Sequence, residues 1–382
     1  MIVLSDGRYI SCPRTSRIGA MSCAAQLSSF RTARDPLVAA AFRNISRRAD
    51  TVAALGLRRR VWDLIPLGLE LDMLWLHTMT LESVVDGFLV MEATTTHTGD
   101  VRKPAFARDA LANGTVPTAA IARKLRVRVI DFAEERRRFC PNPHIRCYEA
   151  LQRFLLLDML FEVAGPDDIA LVNDVDEFVR PSVVTMLRQC YPFDAYSHSP
   201  PYLSLRLSLF KFGVHCDHGA IFDLGARVFS VGTLMARYSG HARATRTERE
   251  AMSVAFTNTR SRPTVVPGIE HAGWHLTSFG AADYLAIKLR TFLHSNIFNS
   301  RERVAKGSLD VPRLERCIRW CLDLDKPSVG GVMPPCNGRE DRASRHLPGI
   351  RRTNLASADL PGPLLHHRSR WPTSWFRFLD AP

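Results

Sequence analysis

The segment LVNDVDEF, Leu171 to Phe178, places three carboxylates, Asp174, Asp176 and Glu177, directly behind a run that reads as a buried strand. In an open parallel sheet, ligands bind outside the carboxyl ends of the strands, and this is such an end. Two residues apart in an extended turn, Asp174 and Asp176 can face one pocket. Carboxylate oxygens suit a hard divalent ion, Mg²⁺ or Mn²⁺, which takes one or two protein carboxylates and completes its shell from phosphate and water. An Asp-x-Asp so placed fits a diphosphate–metal site. The same letters also describe a solvated helix N-terminus, where acids favour the helix dipole, with Pro181 in the first turn and Val183 to Leu187 behind it.

The elements that must position this turn follow from periodicity. RRRVWDLIP (Arg58 to Pro66) reads as a short strand, and Glu70 to Leu81 as an amphipathic helix with apolar residues at 71, 74, 75 and 81. Gly87 to Met91 forms a second strand, followed by a hydroxyl-rich loop, Ala93 to Asp100. RVRVIDF (Arg126 to Phe132) alternates with period two as a third strand. Tyr148 to Val163 is a long helix with Glu149 and Arg153 one turn apart on one face, and Ile169 to Asn173 is the fourth strand. This alternation predicts an α/β fold: a mostly parallel, Rossmann-type sheet flanked by helices. Leu203 to Val214 and Ala220 to Val231 are strand-like. Arg243 to Arg262 is a charged surface segment, and HAGWHLTSFG (His271 to Gly280) leads into a helix from about Ala281 to His294. One catalytic domain over 58–330 is expected, between an N-terminal tail (1–57, a targeting or disordered segment) and a disordered Pro/Gly/Arg-rich tail (331–382).

Composition bounds the partners. The chain of 382 residues carries a formal charge of +13. Only six of its 51 basic residues are lysine, and the arginine excess concentrates near the ends, with eleven Arg against three Asp in residues 1–60. The arginines are scattered rather than interleaved with aromatics along one face, which argues against nucleic acid. A positive field also suits an anionic small ligand such as a nucleotide-sugar diphosphate. Nine cysteines without a CxxC pair argue against a dense disulfide framework and a zinc site, and leave a few disulfides open. No run of 18 uncharged apolar residues marks a membrane anchor, although membrane association is compatible with the remainder.

Several blocks, in order, extend the acidic motif: ELDML (Glu70 to Leu74), VVDGFLVMEATTTHTGDVRKP (Val84 to Pro104), YEALQRF (Tyr148 to Phe154), DIALVNDVDEFVRP (Asp168 to Pro181), GWHLTSFG (Gly273 to Gly280) and IKLRTFLHS (Ile287 to Ser295). Together they resemble glycosyltransferase family 17, the family of the bisecting N-acetylglucosaminyltransferases. Phe178-Val179 stands where the family usually has Ile-Pro, and Leu276 where a Cys often follows Gly-Trp-His. The resemblance implies a GT-A-like fold, a UDP-N-acetylglucosamine donor, Mn²⁺ or Mg²⁺ as cofactor, and a glycan acceptor, the core β-mannose of an N-linked glycoprotein, in the lumen of the Golgi or secretory pathway. Another glycan or glycolipid acceptor, or a catalytically silent carbohydrate-binding protein, are the competing readings. A β-1,4 product from an α-linked donor requires inversion, hence one in-line displacement with a base for the acceptor proton.

Roles follow as expectations. Asp176 is the direct metal ligand, and Asp174 meets the ribose or a metal-bound water. Glu177 orients these groups or an acceptor hydroxyl, or is simply a first-turn helix acid. Glu70, Asp72 and Glu92, with Thr94 to Thr98, line the uridine and ribose site. His275 and His294 are candidate third metal ligands. Lys288 and Arg290 are candidates to neutralise the diphosphate. Arg153 is expected to partner Glu149 or the acidic turn, and Trp274 to stack on a sugar or fill the core. The base has no firm assignment; Asp283 and Glu270 are the guesses.

Overall fold

The computed structural model describes residues 59–98, 102–132, 145–190, 202–222, 225–238, 268–291, 310–319 and 360–376, with two-residue strands at 2–3, 9–10 and 351–352. The first half is the expected alternation. Strand β1 (Val61–Leu67) leads to α1 (Leu71–Leu81), β2 (Gly87–Ala93), two short helices α2 (Phe106–Ala112) and α3 (Ala119–Lys124), and β3 (Leu125–Ile130). The long α4 (Ile145–Val163) then returns to β4 (Ile169–Val172). These four strands lie in the order β3-β2-β1-β4, all parallel.

Period-two alternation explains why β1 is covered on both faces. Val61, Ile65 and Leu67 join the core beneath α1, with Leu74 and Leu76. Trp62 and Leu64 join the opposite core beneath α4, with Leu157 and Leu160. Because the strands are parallel, the chain leaving β1, β2 and β4 emerges on one edge of the sheet, and the acidic turn is one of these exits.

Beyond the turn the sheet becomes mixed. A short β5 (Glu177–Val179) precedes α5 (Pro181–Cys190), then β6 (Leu203–Lys211), β7 (Cys216–Phe222), β8 (Arg227–Ser230), α6 (Val231–Tyr238) and β9 (Gly268–Thr277). Strand β8 inserts antiparallel between β4 and β6. Strand β9 pairs with β5 antiparallel and with β6 parallel. The sequence placed no strand at HAGWHLTSFG; its two glycines and two histidines mask the period. Helix α7 (Ala282–Thr291) follows as expected. Cys216 and Cys317, the latter on α8 (Val311–Arg319), are both disulfide-bonded, and the Cys216 sulfur lies 3.7 Å from the carbonyl of Ile318. The segment 243–262 lies outside the described residues.

The C-terminal region departs from the expected disordered tail. Arg351 and Arg352, as β10, pair antiparallel with β7, completing a ten-stranded sheet. Leu360, Leu364, Trp371, Trp375 and Phe376 are buried in the core beneath α1, with α9 (Gly362–His366) among them. Trp371 and Trp375 stack at 5.8 Å, and Trp375 meets Phe279 edge-on. Averaging over a Pro- and Arg-rich region hid these few large apolar anchors, each of which removes much area from water.

Gly273 pairs with Val179 where β9 runs along β5. A Cβ there would stand 1.8 Å from the carbonyl oxygen of Phe178, a backbone atom that cannot rotate away. Gly273→Ala should therefore lower unfolding stability by about 1–3 kcal/mol, the range for overpacking, measured by denaturant titration; a loss under ~0.5 kcal/mol would show that the β5–β9 pairing can yield.

Candidate active site

The segment after β4 closes as a turn: the amide of Glu177 donates to the carbonyl of Asp174 at 3.0 Å, and the amide of Asp174 donates back to Glu177 Oε2 at 3.0 Å. Glu177 is buried, and Gly225 leaves it room, since a Cβ there would overlap Oε1 at 1.8 Å. From β9, the amide of Leu276 donates to the carbonyl of Asp176 at 2.8 Å. The backbone of the motif is thus fixed before any ligand arrives.

Cations from three elements meet its carboxylates. Arg153 of α4 pairs with Asp174 and, at 3.1 Å, with Glu149, both contacts that the sequence had raised for it. Lys288 of α7 bridges Glu70 Oε1 at 3.0 Å and Asp176 Oδ2 at 3.5 Å. His275 of β9 lies with Nε2 3.6 Å from Asp176 Oδ1. Its ring rests against Phe222, 4.3 Å between centroids, and its Nδ1 is buried without a hydrogen bond among the described residues.

The electrostatics follow from burial and these neighbours. Burial alone would raise the Asp176 carboxyl; Lys288 and His275 outweigh it and hold the group well below the usual carboxylate range. Burial lowers His275 and Lys288, but Asp176 for the former and Glu70 with Asp176 for the latter move both upward. Glu177 shifts the other way: burial, then the Asp174 charge, push it up to about 7.

A second, wholly buried network holds the turn from below. His77 of α1 places Nε2 2.8 Å from Asp63 Oδ2 and Nδ1 3.0 Å from the carbonyl of Val175, the central residue of Asp-x-Asp. Both partners only accept, so both ring nitrogens donate and His77 is an imidazolium. Burial opposes that charge, and Asp63 more than restores it, so the net shift is upward. Asn173 Nδ2 donates to the other Asp63 oxygen at 2.9 Å. Sequence reasoning missed this pair, although Asp63 inside an apolar strand and His77 inside an apolar helix were the available signal.

The neighbouring exits are organised by α4. Gln152, beside Arg153, donates through Nε2 to the carbonyls of Leu67 at 3.0 Å and Met91 at 2.5 Å, and its Oε1 accepts from His97 at 2.8 Å. The ends of β1 and β2 and the loop behind β2 are thereby tied together.

The family model for glycosyltransferase family 17 matches residues 50–246, more than half of the chain. The chain belongs to glycosyltransferase family 17. No individually curated protein matches it. Among solved structures, glucosyl-3-phosphoglycerate synthase of M. tuberculosis aligns at 12% identity over 65% of this chain and 83% of that chain, with TM-score 0.29. The same enzyme from Mycobacterium tuberculosis in complex with Mn²⁺, UDP and glucosyl-3-phosphoglycerate aligns at 13% identity over 64% and 81%, with TM-score 0.30. The family-17 match ends before β9 and α7, so His275 and Lys288 come from beyond it.

In this family-17 protein the expected site residues separate into two groups. Asp174, Asp176, Glu177, Glu70, His275 and Lys288 converge on the turn. Glu70 does so as the partner of Lys288, with Oε2 accepting from the amide of Leu69 at 2.7 Å. Glu92 is corrected more strongly: it is fully buried, one oxygen bound by Lys103 at 3.2 Å and the other by the amide of Ala107 at 3.1 Å, so it anchors the loop instead of facing uridine. Asp72 is an exposed acid in the first turn of α1. Thr94 is half-buried, with its amide bonded to the carbonyl of Ile130, and the Thr96 and Thr98 hydroxyls bond each other. His294 lies outside the described residues. Arg290 is on the exposed face of α7. Trp274 is a core residue under Arg180. Neither guess for the base is at the turn: Asp283 is exposed and accepts from the Tyr284 amide, and Glu270 pairs with Arg206.

As for a metal, no group of three or more His, Cys, Asp or Glu side chains is gathered for one among the described residues. His275 brings its Nε2 to 3.6 Å from Asp176 Oδ1, on the same side as the acidic turn. Asp174 and Asp176 share the turn but not their partners, and Asp174 is the accessible one, its side chain 43% exposed. Two carboxylates without a closed cage fit an ion that brings most of its shell with a diphosphate and water.

Removing one partner of a buried ion pair leaves the other uncompensated. His77→Gln should cost about 3–5 kcal/mol of unfolding stability, read from denaturant midpoints; a loss below ~1 kcal/mol would contradict a charged Asp63–His77 pair. Glu177 adds a pH signature in chelator-treated protein. Its proton is held up to about 7 when folded against 4.5 for the unperturbed group. The stability it supplies is therefore full below 4.5 and lost as pH rises through 7. Glu177→Gln should flatten the fall of stability across that window, and a slope identical to wild type would rule out the raised group.

Proposed function

We propose that this family-17 glycosyltransferase moves N-acetylglucosamine from UDP-N-acetylglucosamine to the core β-mannose of an N-linked glycan, forming a β-1,4 linkage with inversion. The observation that carries the reading is the Asp174–Glu177 turn at a parallel-strand exit, backed by Lys288 and His275, in a chain of this family. Asp174 and Asp176 would hold a divalent ion, Mn²⁺ or Mg²⁺. That ion, when bound, supplies neutralisation of the diphosphate charge as the sugar leaves.

The chain's own residues do the remainder. His77, Arg153 and Leu276 keep the turn rigid, so the carboxylates need not reorganise during reaction. Lys288, held charged between Glu70 and Asp176, supplies a second positive charge beside the turn for a leaving diphosphate. Gln152 fixes the two exits beside which the nucleoside would lie. A disulfide-bonded Cys216 and Cys317 support an oxidising compartment, in keeping with a secretory lumen. No described helix is long and apolar enough to cross a membrane.

Thermal unfolding in the presence of Mn²⁺ and UDP tests the site. Ligand binding should raise the wild-type midpoint by mass action, and Asp176→Ala should lose most of that increment. Equal increments in both proteins would remove Asp176 from the site. Product analysis with an acceptor panel then decides the glycan: transfer should need the core β-mannose, and full activity on glycans lacking it would move the assignment to another acceptor.

A further inference from the structure

The hydroxyl of Tyr284 is buried and makes no hydrogen bond among the described residues. Buried polar groups left without a partner are few in native interiors, and such a group is explained by strain, by function or by something bound. Tyr284 lies on α7, four residues before Lys288 and therefore on the same helical face. Its ring is seated on Gly280, where a Cβ would come within 2.4 Å of Cδ1, and Gly280 itself has φ +153°, a backbone state kept for glycine. The turn between β9 and α7 is shaped to receive this ring.

The surroundings say what the hydroxyl can do. It lies within electrostatic reach of Glu70, Lys288, Asp176 and Asp72. Burial, then the Glu70 charge, push its pKa well above the ordinary phenol value, so the group remains protonated and is a donor. The nearest carboxylates are already supplied: Glu70 accepts from Leu69 and Lys288, and Asp176 is met by Lys288 and His275. Tyr284 and Lys288 thus offer two donors from one helical face, one neutral and one charged. Lys288 already bridges Glu70 and Asp176, so the Tyr284 hydroxyl is the donor left over beside it. It matches a ligand portion that only accepts, as a diphosphate does, whereas a sugar hydroxyl both donates and accepts.

We infer that the Tyr284 hydroxyl donates a hydrogen bond to a phosphoryl oxygen of the nucleotide diphosphate bound at the acidic turn. This deepens the reading of the site as a sugar-nucleotide site and rests on it. Tyr284→Phe removes one oxygen and keeps the ring on Gly280. The full chain and the variant are titrated calorimetrically with UDP in Mn²⁺, and with uridine in Mn²⁺. Without ligand, the variant should melt at the same temperature as wild type or higher, because an unpartnered polar atom has been deleted. Its UDP dissociation constant should rise about tenfold, as for a lost bond to a charged group, while the uridine constant stays the same. A UDP constant within twofold of wild type overturns the assignment, as does equal weakening of UDP and uridine, and so does a fall in the ligand-free melting temperature. If wild type itself fails to bind UDP with Mn²⁺, the sugar-nucleotide reading fails first and the Tyr284 assignment falls with it.

Discussion

Carboxylates survive in an interior only where positive charge is brought to them, and the turn between β4 and β5 depends on that compensation. Asp174, Asp176 and Glu177 stand within four residues of one another and repel. Arg153 from α4, Lys288 from α7 and His275 from β9 surround them. The His77 imidazolium lies below, engaging the turn through the Val175 carbonyl and paired with its own Asp63. Four elements spread over some two hundred residues therefore converge on one turn. The compensation is uneven: Asp176 is driven strongly acidic by Lys288 and His275, whereas Glu177, buried beside Asp174, holds its proton to about 7.

Scaffold and chemistry are carried by the same elements. Helix α4 covers one face of the parallel strands with Leu157 and Leu160, and from the same helix Gln152 and Arg153 reach the strand exits. Adjacent residues on a helix diverge by about 100°, a consequence of 3.6 residues per turn. One of them can thus serve the ends of β1 and β2 while the next serves the turn after β4. Strand β9 works likewise: it completes pairing with β5 and β6 through Gly273 and Trp274, and presents His275 one residue later.

Legibility in the sequence tracked how local each cause was. The four parallel strands and the helices α1 and α4 were readable because period and turn chemistry act over a few residues, and the i,i+4 pair of Glu149 and Arg153 was readable for the same reason, whereas the short helices α2 and α3 were not read. The acidic triplet was visible as letters. Strand β9 was not, because alternation is blurred by Gly273 and by histidines that face different surroundings. The ordered segment 360–376 was hidden beneath its proline and arginine content, although Trp371 and Trp375 were the residues to weigh.

By itself the sequence determined the α/β class, the place of Asp174 and Asp176 at a strand exit, and the expectation of glycosyltransferase family 17. Only the tertiary structure decided who meets those carboxylates. It assigned Glu70 to Lys288 and Glu92 to Lys103, and made His77 with Asp63 a buried charged pair. Adjacent residues are joined by covalent geometry, which a sequence displays directly. Glu70 and Lys288 are joined by the folding of the whole sheet between them, and no local pattern encodes which of many carboxylates a lysine will find.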